Sequence, residues 1–185
     1  MDEKSLLVNL RKLFAYYKHL GEKAIAQLDD SQINWRPNDA SNSISLIVHH
    51  LSGNMRSRFT DFLASDGEKE WRNRDAEFET GYSSKKELLD AWESGWLTLF
   101  NAIDGLNHGD LFRVIYIRNE GQTVIDALHR QLAHYPHHIG QIIYIAKMLK
   151  GDQFVSLSIP KGKSKSFNSE KFAREKGMRD FTDNA

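Results

Sequence analysis

The sequence predicts an all-α fold, a bundle of four long helices. Three observations carry this expectation. Four segments repeat apolar residues every three or four positions. Only 3 prolines interrupt 185 residues, and no tract is of low complexity. Breaker-rich stretches of unequal length separate the four segments, as connections in a bundle do.

The first segment, SLLVNLRKLFAYYKHLGEKAIAQL, aligns Leu6, Leu10, Leu13, Tyr17, Leu20, Ala24 and Leu28 on one stripe. The loop DDSQINWRPNDASNS, with Pro37, ends it, and Ile33 and Trp35 are expected to anchor that loop. Ser43 then offers an N-cap for a second helix. Its core side reads Ile44, Ile47, Val48, Leu51, Met55, Phe59 and Phe62. The polar stretch 66–84 reads as a long ordered loop. Ser84 and Glu87 have capping-box spacing and open a third helix, with Leu88, Trp92, Leu99 and Ile103 on one side. Trp35, Trp71, Trp92 and Trp96 are read as core. DLFRVIYIRNEGQTV switches to near-alternating apolar residues around a turn at Asn119–Gly121, which predicts a short hairpin or an extended crossover. The fourth helix starts near Gln122 or Thr123 and stops at Gly151. Residues 1–151 are thus expected to form the bundle. Residues 152–185 form a C-terminal extension, packed on it or partly flexible.

Composition narrows the function. Lys plus Arg and Asp plus Glu each number 25, and the formal net charge is zero. A general nucleic-acid binder would carry a basic excess, so no nucleic-acid partner is expected. There is no cysteine, which excludes disulfides, zinc ribbons and a thiol nucleophile of the chain's own. Any metal must take His, Asp, Glu or backbone oxygen. The start, MDEKSLLVNLRKLF, is charged and amphipathic rather than signal-like. No apolar run approaches the ~20 residues that span a bilayer. A cytoplasmic location without a membrane partner is expected.

The chemistry concentrates in histidine. HYPHHIGQ, residues 134–141, holds three of the 8 histidines. At about 100° per residue, with His134 at zero, Val124, Leu128, Leu132, Ile139 and Ala146 span about 80–160° and define the apolar face. His138 falls at about 40°, beside His134, whereas His137 falls at about 300°, toward the polar side. On the second helix His50 sits at the margin of the apolar stripe, and His49 lies on the far side. An i, i+4 histidine pair can hold metal, and a third imidazole from a facing helix completes a facial site. The ordinary alternative is three structural histidines at core margins, and the choice depends on the two helices touching. Pro136 bends the fourth helix on either reading.

A single His in helix two followed by H-x-x-H-H-x-G-Q in helix four resembles the DinB/YfiT-like superfamily. The matching segments are SISLIVHHLSGN and HYPHHIGQIIYIAKML, and WRPNDASNSIS resembles the lead-in to the second helix. The likeness covers roughly residues 1–151. It implies an up-down-down-up four-helix bundle and a divalent metal held by His50, His134 and His138. It also implies a homodimer as a common state. Some relatives are thiol-dependent, among them mycothiol-dependent maleylpyruvate isomerases and bacillithiol S-transferases.

Three neutral imidazoles leave a metal its charge and an open position, the catalytic layout. Such a site ionises water, for hydrolysis, or a thiol, for transfer to an electrophile. The expected activity is therefore a metal-dependent thiol S-transferase or hydrolase, with a small-molecule thiol supplied from outside. A non-catalytic metal-binding bundle with a stress-related or interaction role is the alternative. Zn, Ni, Co and Fe(II) all suit three imidazoles. Asn54 and Gln141 are placed to support a ligand ring, with solvated helix surface as the plainer reading. Glu87 and Glu93 are the acid/base candidates on the same terms. Lys161, Lys163 and Lys165 can attract an anionic cosubstrate or simply solvate the tail.

Overall fold

Side-chain caps set where the helices begin. Ser43 Oγ accepts from the Leu46 amide, Ser84 Oγ from Glu87 and Thr123 Oγ1 from Asp126, each at 3.2 Å. Each bond satisfies an amide that the first turn leaves without a partner. The computed structural model describes residues 3–184. Its elements are α1 (Glu3–Ala26), α2 (Ile44–Phe59), α3 (Lys85–Asp104), β1 (Val114–Ile117), β2 (Glu120–Thr123), α4 (Val124–Lys150) and α5 (Ser164–Phe172). The Glu87 carboxylate departs from the capping-box expectation. It accepts from Ser83 N and Oγ, at 3.1 and 2.7 Å, one residue before the cap. α4 runs unbroken through Pro136 and ends on Gly151 at φ 53°.

Pairwise contacts fix the helix directions. Ser45 Oγ takes the Tyr82 amide and Ser52 Oγ donates to the Ala91 carbonyl, so α2 and α3 run parallel. Arg11 pairs with Asp104, and Lys18 pairs with Glu93, so α1 opposes α3. Phe14 packs on Tyr135, and Gly21 lies against Ile139, so α1 and α4 are parallel. The result is an all-α, up-down-down-up four-helix bundle. Parallel neighbours need a long connection, which the loop 60–84 supplies. α2 and α3 approach closely because Gly95 lacks a side chain, and a Cβ there would lie 3.0 Å from Ser52 Cα.

The core centres on aromatics. Trp96 meets Trp92 at 5.5 Å, Tyr135 at 5.8 Å and Phe14 at 6.4 Å between ring centroids. Phe14 and Ile25 are fully buried, and Leu13 is only half-buried, so the inward stripe of α1 is rotated from the sequence expectation. Trp71 is a second departure. It is 55% exposed, with the Arg56 guanidinium 5.5 Å from its ring.

The hairpin forms, with its turn one residue earlier than expected. Ile117 pairs with Glu120, leaving Arg118 and Asn119 as the turn at φ 56° and 61°. Two left-handed residues make a type I′ turn. The Asp66 carboxylate accepts both turn amides, at 2.8 and 2.9 Å, and so holds it. Ile115 and Ile117 face the core, while Val114 and Tyr116 face out. Beyond α4 the chain returns along α1. Gln27 exchanges two hydrogen bonds with the Val155 backbone, and Phe181 packs on Tyr16. Among the described residues, no helix is long and apolar enough to cross a membrane.

Candidate metal centre

α2 and α4 touch where their histidines stand. His50 Nε2 lies 3.3 Å from His134 Nε2, and His138 Nε2 lies 3.1 Å from the same atom. The three ligand atoms all fall within 4.8 Å of one another. His50 is buried, at 5% exposure, and the other two rings are half-buried. Tetrahedral coordination at ~2.0–2.1 Å sets nitrogens ~3.3 Å apart, so the His50–His134 and His134–His138 spacings fit a divalent ion.

The outer nitrogens decide which face each ring presents. His50 Nδ1 meets Glu77 Oε2 at 2.9 Å, His134 Nδ1 meets Gln131 Oε1 at 3.3 Å, and His138 Nδ1 meets Gln141 Oε1 at 2.7 Å. Each partner is an acceptor, so each ring carries its proton on Nδ1 and turns a bare Nε2 inward. Three converging lone pairs without a donor repel one another, and a cation is what they suit. Burial, and then the nearby His138 and His50, pull the His134 imidazolium pKa down to about 3. Burial also lowers that of His138. Both rings are therefore neutral at pH 7, the form that binds metal.

Glu77 is the site residue that sequence reasoning missed. It sits in the short helical turn Ala76–Phe78, within the stretch read as loop, and is 3% exposed. Arg72 clamps it through two bonds, at 2.7 and 2.9 Å. Burial pushes its carboxyl pKa up, but the bonds from His50 and Arg72 outweigh that, so it lies below the usual range. Gly53 makes room for it, because a Cβ there would lie 2.2 Å from Glu77 Oε1. Phe78 covers the His50 ring at 4.9 Å. Glu68 extends the charges outward, 3.6 Å from Arg72 and 2.9 Å from Arg118 of the hairpin.

The remaining candidates divide. Gln141 does support a ring, and its amide nitrogen also meets His137 Nε2 at 3.3 Å. Asn54 is engaged by a core tyrosine instead. It is buried and accepts from Tyr135 Oη at 3.0 Å. His49 turns to the Thr80 carbonyl, at 3.0 Å. Glu93 pairs with Lys18 and Glu87 with Ser83, away from the triad. Lys161, Lys163 and Lys165 are exposed on the tail.

Helical bundle and converging histidines together define a protein able to hold a metal ion between α2 and α4. The family described as "Protein of unknown function (DUF1572)" matches residues 2–163, and the chain belongs to that family. No curated protein matches the chain.

Proposed function

We propose that the chain is a metal-dependent enzyme of the DinB/YfiT-like type that transfers a low-molecular-weight thiol to an electrophile. One observation carries the reading: three Nε2 atoms converge while every Nδ1 is held by an acceptor. A divalent ion of Zn, Ni, Co or Fe(II) held by His50, His134 and His138 supplies Lewis acidity that favours ionisation of a thiol or water. Glu77 and the two glutamines fix the ring orientations before any ion arrives. His134 and His138 are only partly buried, and a partly exposed cluster is the layout of a catalytic rather than a sealed structural site.

The surroundings favour transfer over amide hydrolysis. In transfer the thiol loses its proton to solvent and its sulfur bonds to the electrophilic carbon. The leaving group departs with the displaced electron pair. That exchange needs no proton donor from the protein when the leaving group is a stable anion. Hydrolysis of an amide needs one, and Glu77, the carboxylate nearest the rings, is occupied by His50 and Arg72. The chain has no cysteine, so the thiol comes from outside. A homodimer in the cytoplasm fits this reading.

Elemental analysis of purified protein tests the metal, and thiol consumption with a panel of electrophiles tests the reaction. Wild-type protein and the His49→Ala control should carry stoichiometric metal, and the triple alanine variant at 50, 134 and 138 should carry none. Undiminished metal in the triple variant rejects the site. Full metal with no turnover of any thiol favours the non-catalytic bundle.

A further inference from the structure

A cleft of about 530 Å3 opens one helical turn beyond the triad. It lies between the 37–42 loop, the start of α2 and the second half of α4. Ile47 lies three residues before His50, and Gln141 three residues after His138. Gln141 is shared, because it lines the cleft and also holds the His138 ring. The size is that of a small-molecule pocket.

The lining states what fits. Ile47 and Ile145 form an apolar floor, and Tyr144 and Met148 stand exposed above it. Among the described residues, no Asp, Glu, Lys or Arg lines the cleft. A charged ligand would lose water there and meet no counter-charge. His137 supplies polarity at the end nearest the triad. Its Nε2 accepts from the Gln141 amide, so the neutral ring carries its proton on Nδ1 and offers a donor.

We infer that this cleft binds the electrophile, an uncharged and largely apolar molecule with a hydrogen-bond acceptor, and that His137 positions it. The inference rests on the proposed transfer reaction, but its test reads binding and needs no turnover. Gly140 provides the blocking variant. A Cβ there meets nothing within 4 Å and the residue lines the cleft, so Gly140→Leu adds apolar bulk at the cleft wall, and an α-helix tolerates the exchange well.

The probe is acetophenone, a neutral aromatic ketone, with benzoate as its charged counterpart of similar shape. Protein labelled at the methionine methyl groups reports site by site. Met148 lines the cleft, Met55 lies in the core and Met178 is exposed on the tail. Acetophenone should shift the Met148 methyl resonance along a saturable curve and leave Met55 and Met178 in place. Benzoate should bind at least tenfold more weakly, as should acetophenone to Gly140→Leu. His137→Ala should weaken acetophenone several-fold with metal content unchanged.

Equal binding of benzoate, unaltered binding to Gly140→Leu, or no saturable Met148 shift overturns the inference. So does a Met148 resonance that moves with protein concentration alone, which would put a second copy of the chain in the cleft. Acetophenone binding in a protein that holds no metal would sink the proposed reaction and leave the cleft assignment standing. Stoichiometric metal without acetophenone binding would do the reverse.

Discussion

Glu77 presents a charge to His50 that Gln131 and Gln141 do not present to their rings. A carboxylate on the outer nitrogen raises the basicity of the inner one and locks the tautomer. Glu77→Gln keeps the shape and removes the charge. It should lower metal affinity about 10–100-fold in a chelator competition, while far-UV circular dichroism stays unchanged. Unaltered affinity would make the His50–Glu77 bond purely structural. Arg72 behaves differently, because its side chain and that of Glu77 are only 2% and 4% exposed. Arg72→Ala strands a buried carboxylate, which typically costs about 3–5 kcal/mol, to be read from urea denaturation. The grouping of His50, His134 and His138 was legible because a helix turns about 100° per residue, so spacing alone places a side chain on a face. Glu77 was not, because it reaches His50 from 27 residues away. A loop has no period from which its path can be read.

α2 shows the limit of periodicity at the scale of an element. Its apolar stripe holds through Phe59, with Ile44, Ile47, Val48, Leu51, Met55 and Phe59 all buried, whereas the helix ends there and Phe62, expected on the same stripe, is buried beyond its end. Its polar face is buried as well, with Ser45, Ser52, Asn54, Ser57 and Arg58 enclosed. The cause is the direction of α3. A parallel neighbour forces a long crossover, and the crossover covers Ser45, Ser57 and Arg58, while α3 covers Ser52 and α4 covers Asn54. Composition predicts solvent there, and topology removes it. The same parallel contact sets a firm packing limit at Gly95. Alanine raises helix propensity by about 1 kcal/mol. Its Cβ would also stand 3.0 Å from Ser52 Cα and 3.1 Å from Met55 Cε. Overpacking of this kind costs about 1–3 kcal/mol, so Gly95→Ala should lower the melting temperature despite its better propensity. A rise would show that α3 can move away from α2 freely. The hairpin was legible as a switch from a helical period to alternation. Its exact turn was not, because the anchor, Asp66, lies 52 residues before Arg118.

For the whole molecule, the bundle should stand apart from the proposed metal. The aromatic core of Phe14, Trp92, Trp96 and Tyr135 is fully buried and is held mainly by its own ring contacts. Stripping metal with a chelator at neutral pH should therefore keep far-UV helicity and lower the melting temperature, unlike a zinc finger. Proton linkage then sets the acid limit. In the folded, metal-free chain His134 is held to about 3, and His138 is also lowered. In the unfolded chain both return to ~6.5. As pH falls below about 6.5 the unfolded state takes up protons that the folded rings refuse, so stability falls with pH. The contribution is fully present above about 6.5 and is lost progressively toward the folded-state values. The same depression delays proton competition for metal at His134. Fewer than three protons should accompany each ion released near pH 6, and the folded site should keep its affinity to lower pH than free imidazole does. Metal isotherms paired with urea midpoints at pH 7.5, 6 and 5 measure both effects. His134→Gln should flatten the fall of the metal-free midpoint with pH. A slope unchanged by that substitution would mean that other groups govern the acid limit.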